Sequence, residues 1–256
     1  MITLERDGPV AIVRFDRGEK RNAFHQPLIA QLTETAEKLQ SDLEVQAIVL
    51  AGTEEAFSAG MDLDDEMWRS DGMSDLERRE LYHTGVRLCR AWESLPQVTI
   101  AAVNGFAVGA GVALSLACDW RVVADDAFLY VPEVRIGINL QWGALPRLIN
   151  LVGPAKAKRI CLLCEKLPAR DALAWGLVDY IAEPANGVAK AVEVARAVCE
   201  QPGVTVRMVK EAVNATANIG DRASSFADAD QSQLSGQFSA ARSAREDFLA
   251  RKKPGS

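Results

Sequence analysis

Short apolar runs alternate with stretches of helical periodicity for about 180 residues, and after that only helical periodicity remains. A run that is apolar at nearly every position has no solvent face, so it predicts a strand buried under helices on both sides of a sheet. The runs are 10–15 (after a Gly8-Pro9 turn), 45–50, 98–103, 120–124, 128–131 and 176–181. A helix over 26–40 follows from Leu28, Ile29, Leu32, Ala36 and Leu39, with Pro27 in its first turn. Further helices are predicted near 76–94, from Gly109-Ala110-Gly111 through Cys118, after Leu145, and at 187–200, 203–217, 222–236 and 238–252. The pattern is an α/β core over 1–186 followed by a helical region over 187–256. Phe226, Leu234, Phe238, Phe248 and Leu249 leave apolar faces on the last helices, to be covered by the chain's own core or by another subunit.

Charge and composition narrow the function classes. With Lys+Arg 29 against Asp+Glu 35, the net charge is -6, which excludes a surface built to coat nucleic acid. A local basic patch for one phosphorylated ligand stays open. No apolar run approaches the roughly 20 residues of a membrane span. The start, Met1-Ile2-Thr3-Leu4-Glu5-Arg6-Asp7, lacks the basic and apolar stretches of a signal peptide. A cytoplasmic protein is therefore expected. The five cysteines, an odd count in apolar segments, suit free buried thiols in a reducing compartment. Cys161 and Cys164 have C-x-x-C spacing, but neither His25 nor His83 is near and a zinc site needs four ligands, so one helix face explains the pair and no metal is expected. The acidic stretch 62–80 matches no calcium loop and reads as a solvated flap.

Two segments carry the chemistry. Each is a buried strand, a turn of small residues and a helix start: Phe57-Ser58-Ala59-Gly60-Met61-Asp62-Leu63 after 45–50, and Val108-Gly109-Ala110-Gly111-Val112 after 98–103. Small residues let a ligand approach the backbone, and free N–H groups there favour negative charge. Side by side, the two would make a two-donor oxyanion hole; taken singly, each is also an ordinary strand–helix turn. Glycines at 105, 109 and 111 do not form G-x-G-x-x-G, so the dinucleotide fingerprint is absent.

These segments resemble the enoyl-CoA hydratase/isomerase family, the crotonase superfamily. The matching pieces are 20–24 (Lys-Arg-Asn-Ala-Phe), 56–63, 102–111, Ala117-Cys118-Asp119, Val131-Pro132-Glu133 and 172–180 with Gly176-Leu177-Val178-Asp179, in family order over roughly residues 1–252. The resemblance implies a crotonase (ClpP-like) spiral of β-β-α units with a helical C-terminal trimerisation region, a homotrimer with pairing into hexamers open. It implies an acyl-CoA thioester as substrate, with coenzyme A part of that substrate and no separate cofactor. It places the thioester oxygen on the N–H groups of Met61 and Ala110. Arg21, Ala23, Ala59, Asp62, Leu63, Phe248 and the run Arg251-Lys252-Lys253 fall at family positions that bind coenzyme A.

The chain departs from the family pattern twice. Hydratases of the family carry two glutamates; here the first position is Ala113, and only Glu133 remains. Hydration wants one group to activate water at C3 and another to protonate C2. A lone carboxylate fits proton transfer between C2 and C4, so double-bond isomerisation is favoured, with hydration as the alternative. A non-catalytic acyl-CoA binder, a hydrolase or a decarboxylase is less favoured. The second departure is the loop Gly137-Ile138-Asn139-Leu140-Gln141-Trp142-Gly143, whose Asn139, Gln141 and Trp142 would reshape the acyl pocket.

Overall fold

The structure is a computed structural model and describes residues 1–65 and 72–250. Strands β1 (Ile2–Asp7) and β2 (Val10–Phe15) form an antiparallel hairpin across Gly8, whose φ of 57° suits a residue without a side chain. From β2 the sheet continues in parallel through β3 (Ala47–Ala51), β4 (Val98–Val103), β6 (Trp120–Ala124) and β9 (Tyr180–Ala182). A second sheet has β7 (Phe128–Tyr130) at its centre, parallel to β5 (Phe106–Val108) and antiparallel to β8 (Leu167–Pro168).

Every residue of β3 and β4 is buried, as their unbroken apolar runs require. One face of the large sheet packs Phe15, Ile48, Leu50 and Ala101 with helices α1 (Gln26–Gln40) and α2 (Asp75–Glu93), which contribute Leu28, Leu32, Leu88 and Trp92. The other face packs Val49, Ile100 and Val122 against Ala191, Val194 and Ala195 of α6 (Gly187–Cys199). Each such fully buried aliphatic side chain stabilises the fold by about 1.5–3 kcal/mol. Thus α6, the first helix of the predicted C-terminal region, covers the sheet.

Helix α3 (Ala110–Leu116) is buried along its whole length, and α4 (Ala144–Leu163) bends at Gly153 (φ 74°), just before Pro154. Helix α5 (Ala169–Trp175) ends on left-handed Gly176, so the strand expected over 176–181 shrinks to β9. After α6 come α7 (Gly203–Ala217), α8 (Asp221–Ser225), α9 (Asp228–Ser235) and α10 (Ser239–Ala250). The single helix predicted over 222–236 is therefore two, α8 and α9. Helix α2 starts in a capping box: Ser74 accepts from the Glu77 N–H while the Glu77 carboxylate accepts from Ser74. No helix among the described residues is long and apolar enough to cross a membrane.

Candidate active site

Four short segments lie side by side at the end of the large sheet. Phe24 bridges Met61 in parallel, donating its N–H to the Gly60 carbonyl (2.7 Å) while its own carbonyl accepts from Asp62 (2.8 Å). Ser58 bridges Ala107, and its carbonyl accepts the Val108 N–H at 2.9 Å. The Gly109 N–H then reaches the Tyr130 carbonyl at 2.8 Å. This lacing uses the backbone groups on either side of Met61 and Ala110. Among the described residues their own N–H groups have no protein acceptor, Ala110 being the first residue of α3. Gly60 (φ 90°) brings the segments this close: a Cβ there would lie 2.9 Å from the Val108 carbonyl oxygen and 3.8 Å from the Ala110 nitrogen.

These N–H groups open on a cavity of about 300 Å³. Glu133, at the start of a 3-10 turn over Glu133–Ile136, also lines it. The Glu133 Oε1 would be 2.5 Å from a Cβ on Gly109, so the carboxylate sits directly over the second loop. Glu133 is 8% exposed and its Oε2 has no hydrogen-bond partner among the described residues. Burial pushes its carboxyl up to about 7, against a smaller opposing effect of its own backbone N–H. It is the single carboxylate among the described residues that line the cavity, which Ala113, Ile136, Ile138 and Leu140 also line with apolar side chains.

The loop after Glu133 is fastened at several points. Gly137 (φ 76°) has no room for a side chain, since a Cβ would fall 2.3 Å from that of Ala241 in α10. Asn139 donates its amide to the Asp228 carbonyl (3.1 Å), and Asp228 Oδ2 accepts the Gly143 N–H (2.7 Å). The Trp142 carbonyl accepts from Arg147 (2.9 Å), which Glu93 grips at 2.6 and 2.9 Å. These bonds hold Trp142 at a φ of 68°, with its indole lying on Gly85 of α2 and 5.9 Å from the ring of Phe24.

At the other end of the cavity, the stacked rings of Phe106 and Phe128 (5.6 Å) each carry a cation: Arg21 lies 5.9 Å from the first and Lys166 4.4 Å from the second. Arg21 is held there by a left-handed turn of three non-glycine residues, Lys20, Arg21 and Asn22, with φ of 48°, 51° and 60°. Buried Asn22 fixes the turn, donating to the carbonyls of Phe15 (3.0 Å) and Phe57 (2.9 Å) and accepting from the Arg17 N–H (3.0 Å). Phe248 of α10 also lines this cavity.

The structure thus brings together Arg21, Ala59, Met61, Leu63, Ala110, Ala113, Glu133, Gln141, Trp142 and Phe248 of the sequence-derived residues. Three others lie off the cavity wall. Asn139 donates its amide to α9, at Asp228, and does not line the cavity. Asp62 is buried under Arg17 and Lys20 at 2.8 and 2.9 Å. Burial opposes its charge, but hydrogen bonds from the Asp64 N–H, Lys20 and Arg17 hold its carboxyl below the usual range. Ala23 is buried and gives its carbonyl to Arg17. Asp62 and Asp65 are also not part of a solvated flap: both are buried, and Asp65 accepts the Gln26 N–H. Glu66 and Asp71 of that stretch, and Arg251, Lys252 and Lys253, lie outside the described residues.

Sequence reading missed Lys166, Phe106, Phe128 and Tyr130. Phe106 is carried by β5, which has no apolar run to predict it, Phe128 and Tyr130 by β7, and Lys166 directly precedes β8. Two matched motifs serve structure instead. Asp119 accepts from the Thr99 N–H (2.8 Å) and pairs with Lys210 (2.6 Å), and Asp179 pairs with buried Arg121 (2.8 Å). The cysteines are free; burial pushes the thiols of Cys89, Cys118 and Cys161 up to about 12, leaving them protonated at neutral pH.

A family model described as Enoyl-CoA hydratase/isomerase matches residues 5–255. A short-chain-enoyl-CoA hydratase of Clostridium acetobutylicum is 33% identical over 214 residues, 83% of this chain and 80% of that protein. A probable enoyl-CoA hydratase of Mycobacterium tuberculosis is 36% identical over 196 residues, 77% of this chain and 76% of that one. Among solved structures, an enoyl-CoA hydratase/isomerase from Xanthobacter autotrophicus superimposes with a TM-score of 0.87 at 28% identity, covering 98% of this chain and 93% of its own.

Proposed function

The chain belongs to the enoyl-CoA hydratase/isomerase family and has the crotonase fold; from that premise we propose that it isomerises the double bond of an enoyl-CoA thioester, with Glu133 as the proton carrier. The thioester oxygen accepts from the Met61 and Ala110 N–H groups. As the C2 proton of a β,γ-enoyl chain leaves for Glu133, negative charge collects on that oxygen and the two donors hold the enolate. Each such donor contributes on the order of 10²- to 10³-fold in rate. Glu133 then returns the proton to C4, the double bond moves to C2–C3, and the enzyme is unchanged. The coenzyme A portion, still joined through the thioester, extends past Arg21, Lys166 and Phe248, and the two cations suit its phosphates.

The observation that carries this reading is a buried carboxylate poised near neutrality, the single one among the described residues lining the cavity, where Ala113 offers no second acid. A group with a pKa close to the working pH can both take and give a proton. The second reading is hydration, favoured by the names of the relatives and by the Gln141 carboxamide in the same cavity, which could hold a water. A panel of enoyl-CoA thioesters assayed for both double-bond migration and water addition tests the choice. Migration should dominate, and Glu133→Gln should lower it by about 10²-fold or more. Fast water addition without migration would overturn the isomerase reading. Turnover of Glu133→Gln within about tenfold of wild type would remove Glu133 from the chemistry.

A homotrimer belongs to the same proposal. Its support is the apolar surface left on the C-terminal helices, where Met208, Val209, Val213 and Phe226 are all more than half exposed. The free cysteines suit a reducing compartment such as the cytoplasm.

A further inference from the structure

Gln141 is more than nine-tenths buried, yet among the described residues its carboxamide makes no hydrogen bond, and its Oε1 is enclosed without a partner. It lines the cavity together with the apolar side chains of Ile138, Leu140 and Trp142. The position is not slack. Asn139 and Gly143 on either side are tied to Asp228, and the Trp142 carbonyl is tied to Arg147. A fastened loop therefore holds a desolvated amide at the cavity wall, and Glu133 Oε2 is a second unpartnered acceptor at the same cavity. Burying an unpaired amide works against folding, and a hydrocarbon chain packed on it cannot return the lost bond. A hydroxyl can, because it both donates and accepts and so matches either end of a carboxamide.

We infer that the acyl chain this site selects bears a hydroxyl group, paired with the Gln141 carboxamide. The inference rests on the acyl-CoA reading above and extends it to the substrate's acyl class. A site built around a buried hydrogen-bonding group discriminates strongly against an analogue that lacks the matching group, since the protein's own group is then stranded.

The test is a binding measurement, independent of which reaction the enzyme catalyses. Dissociation constants of hexanoyl-CoA and of its 4-, 5- and 6-hydroxy forms are measured by calorimetry for wild type and for Gln141→Met, which keeps the length and removes the hydrogen bonding. At least one hydroxylated form should bind wild type about tenfold or more tighter than hexanoyl-CoA, and the ratio should collapse towards one in the variant. Equal affinities in wild type, the result if a water satisfies Gln141, overturn the inference and leave the acyl-CoA reading standing. A preference that survives in Gln141→Met overturns it as well. Failure of all four thioesters to bind wild type overturns the acyl-CoA reading and the inference with it. If Gln141→Met does not fold, Gln141→Leu supplies the ratio.

Discussion

Replacing Glu133 by Gln should make the protein more stable as it becomes inactive, and the gain should depend on pH in a calculable way. The carboxyl is raised from 4.5 to about 7 by burial. Between those values the folded chain holds a proton that the unfolded chain has released, so stability falls as pH rises. At 1.36 kcal/mol per pKa unit, the full loss is about 3 kcal/mol, of which about 2.5 kcal/mol falls between pH 5 and 8. Glutamine cannot titrate, so the variant escapes that loss. Urea unfolding of both proteins at pH 5, 6, 7 and 8, at one fixed protein concentration, reads it directly. The stability difference, variant minus wild type, should grow by about 2–3 kcal/mol across the series. Any pH-independent effect of the amide on packing cancels in the slope. A flat difference would show that the Glu133 carboxylate is solvated when ionised, and the argument from burial would fall. The same ionisation sets activity: kcat/KM should climb as pH rises towards about 7 and level off above it, as the carboxylate form fills.

Two further outcomes follow from positions where space is short. Gly109→Ala places a Cβ 2.5 Å from Glu133 Oε1 at a φ of 51°, so the carboxylate must move; kcat should fall by about 10²-fold or more while a saturated acyl-CoA still binds, and near-normal kcat would refute the placement of Glu133 over this loop. Trp142→Ala removes the ring lying on Gly85, which should cost about 3–5 kcal/mol of stability in urea unfolding and shift acyl-chain preference in a thioester series to longer chains; an unchanged length profile would mean the indole does not close the cavity.

The legible part of this fold is the part set by local pattern. Helix α1 has the bounds that its apolar spacing predicts, and β2 and β4 match their apolar runs. Strand β1 was harder to read: only Ile2 is even partly buried, and its other five residues are exposed, so the edge strand has little apolar signature. Strand β5 has three residues, too short for any periodicity, and carries Phe106 to the cavity; β7, equally short, matches the apolar run over 128–131 and carries Phe128 there. Motif matching singled out Met61, Ala110 and Glu133, and the structure brings all three to one cavity. It could not see that Asp62 would serve Arg17 and Lys20, or that Asn139 would serve Asp228, because those partners come from distant parts of the chain. Lys166, carried by no motif, enters the cavity wall through the pairing of β8 with β7 just beside it.

The left-handed turn at Lys20–Asn22 has a consequence for the order in which the chain assembles. Three successive non-glycine residues in that conformation are unfavourable by about 1–2 kcal/mol each, so the turn cannot form early on its own as a helix or hairpin can. Its geometry is held by the Asn22 amide on Phe15 and Phe57 and by the Ala59 N–H on the Arg21 carbonyl, groups that meet only when distant strands have already closed. Arg21 therefore reaches its place at the cavity, over the ring of Phe106, late. During refolding, helical signal should recover before the chain regains the ability to bind coenzyme A, and amide protection at Asn22 and Ala59 should arrive with the final kinetic phase. The binding wall is a product of the closed architecture, not a seed for it.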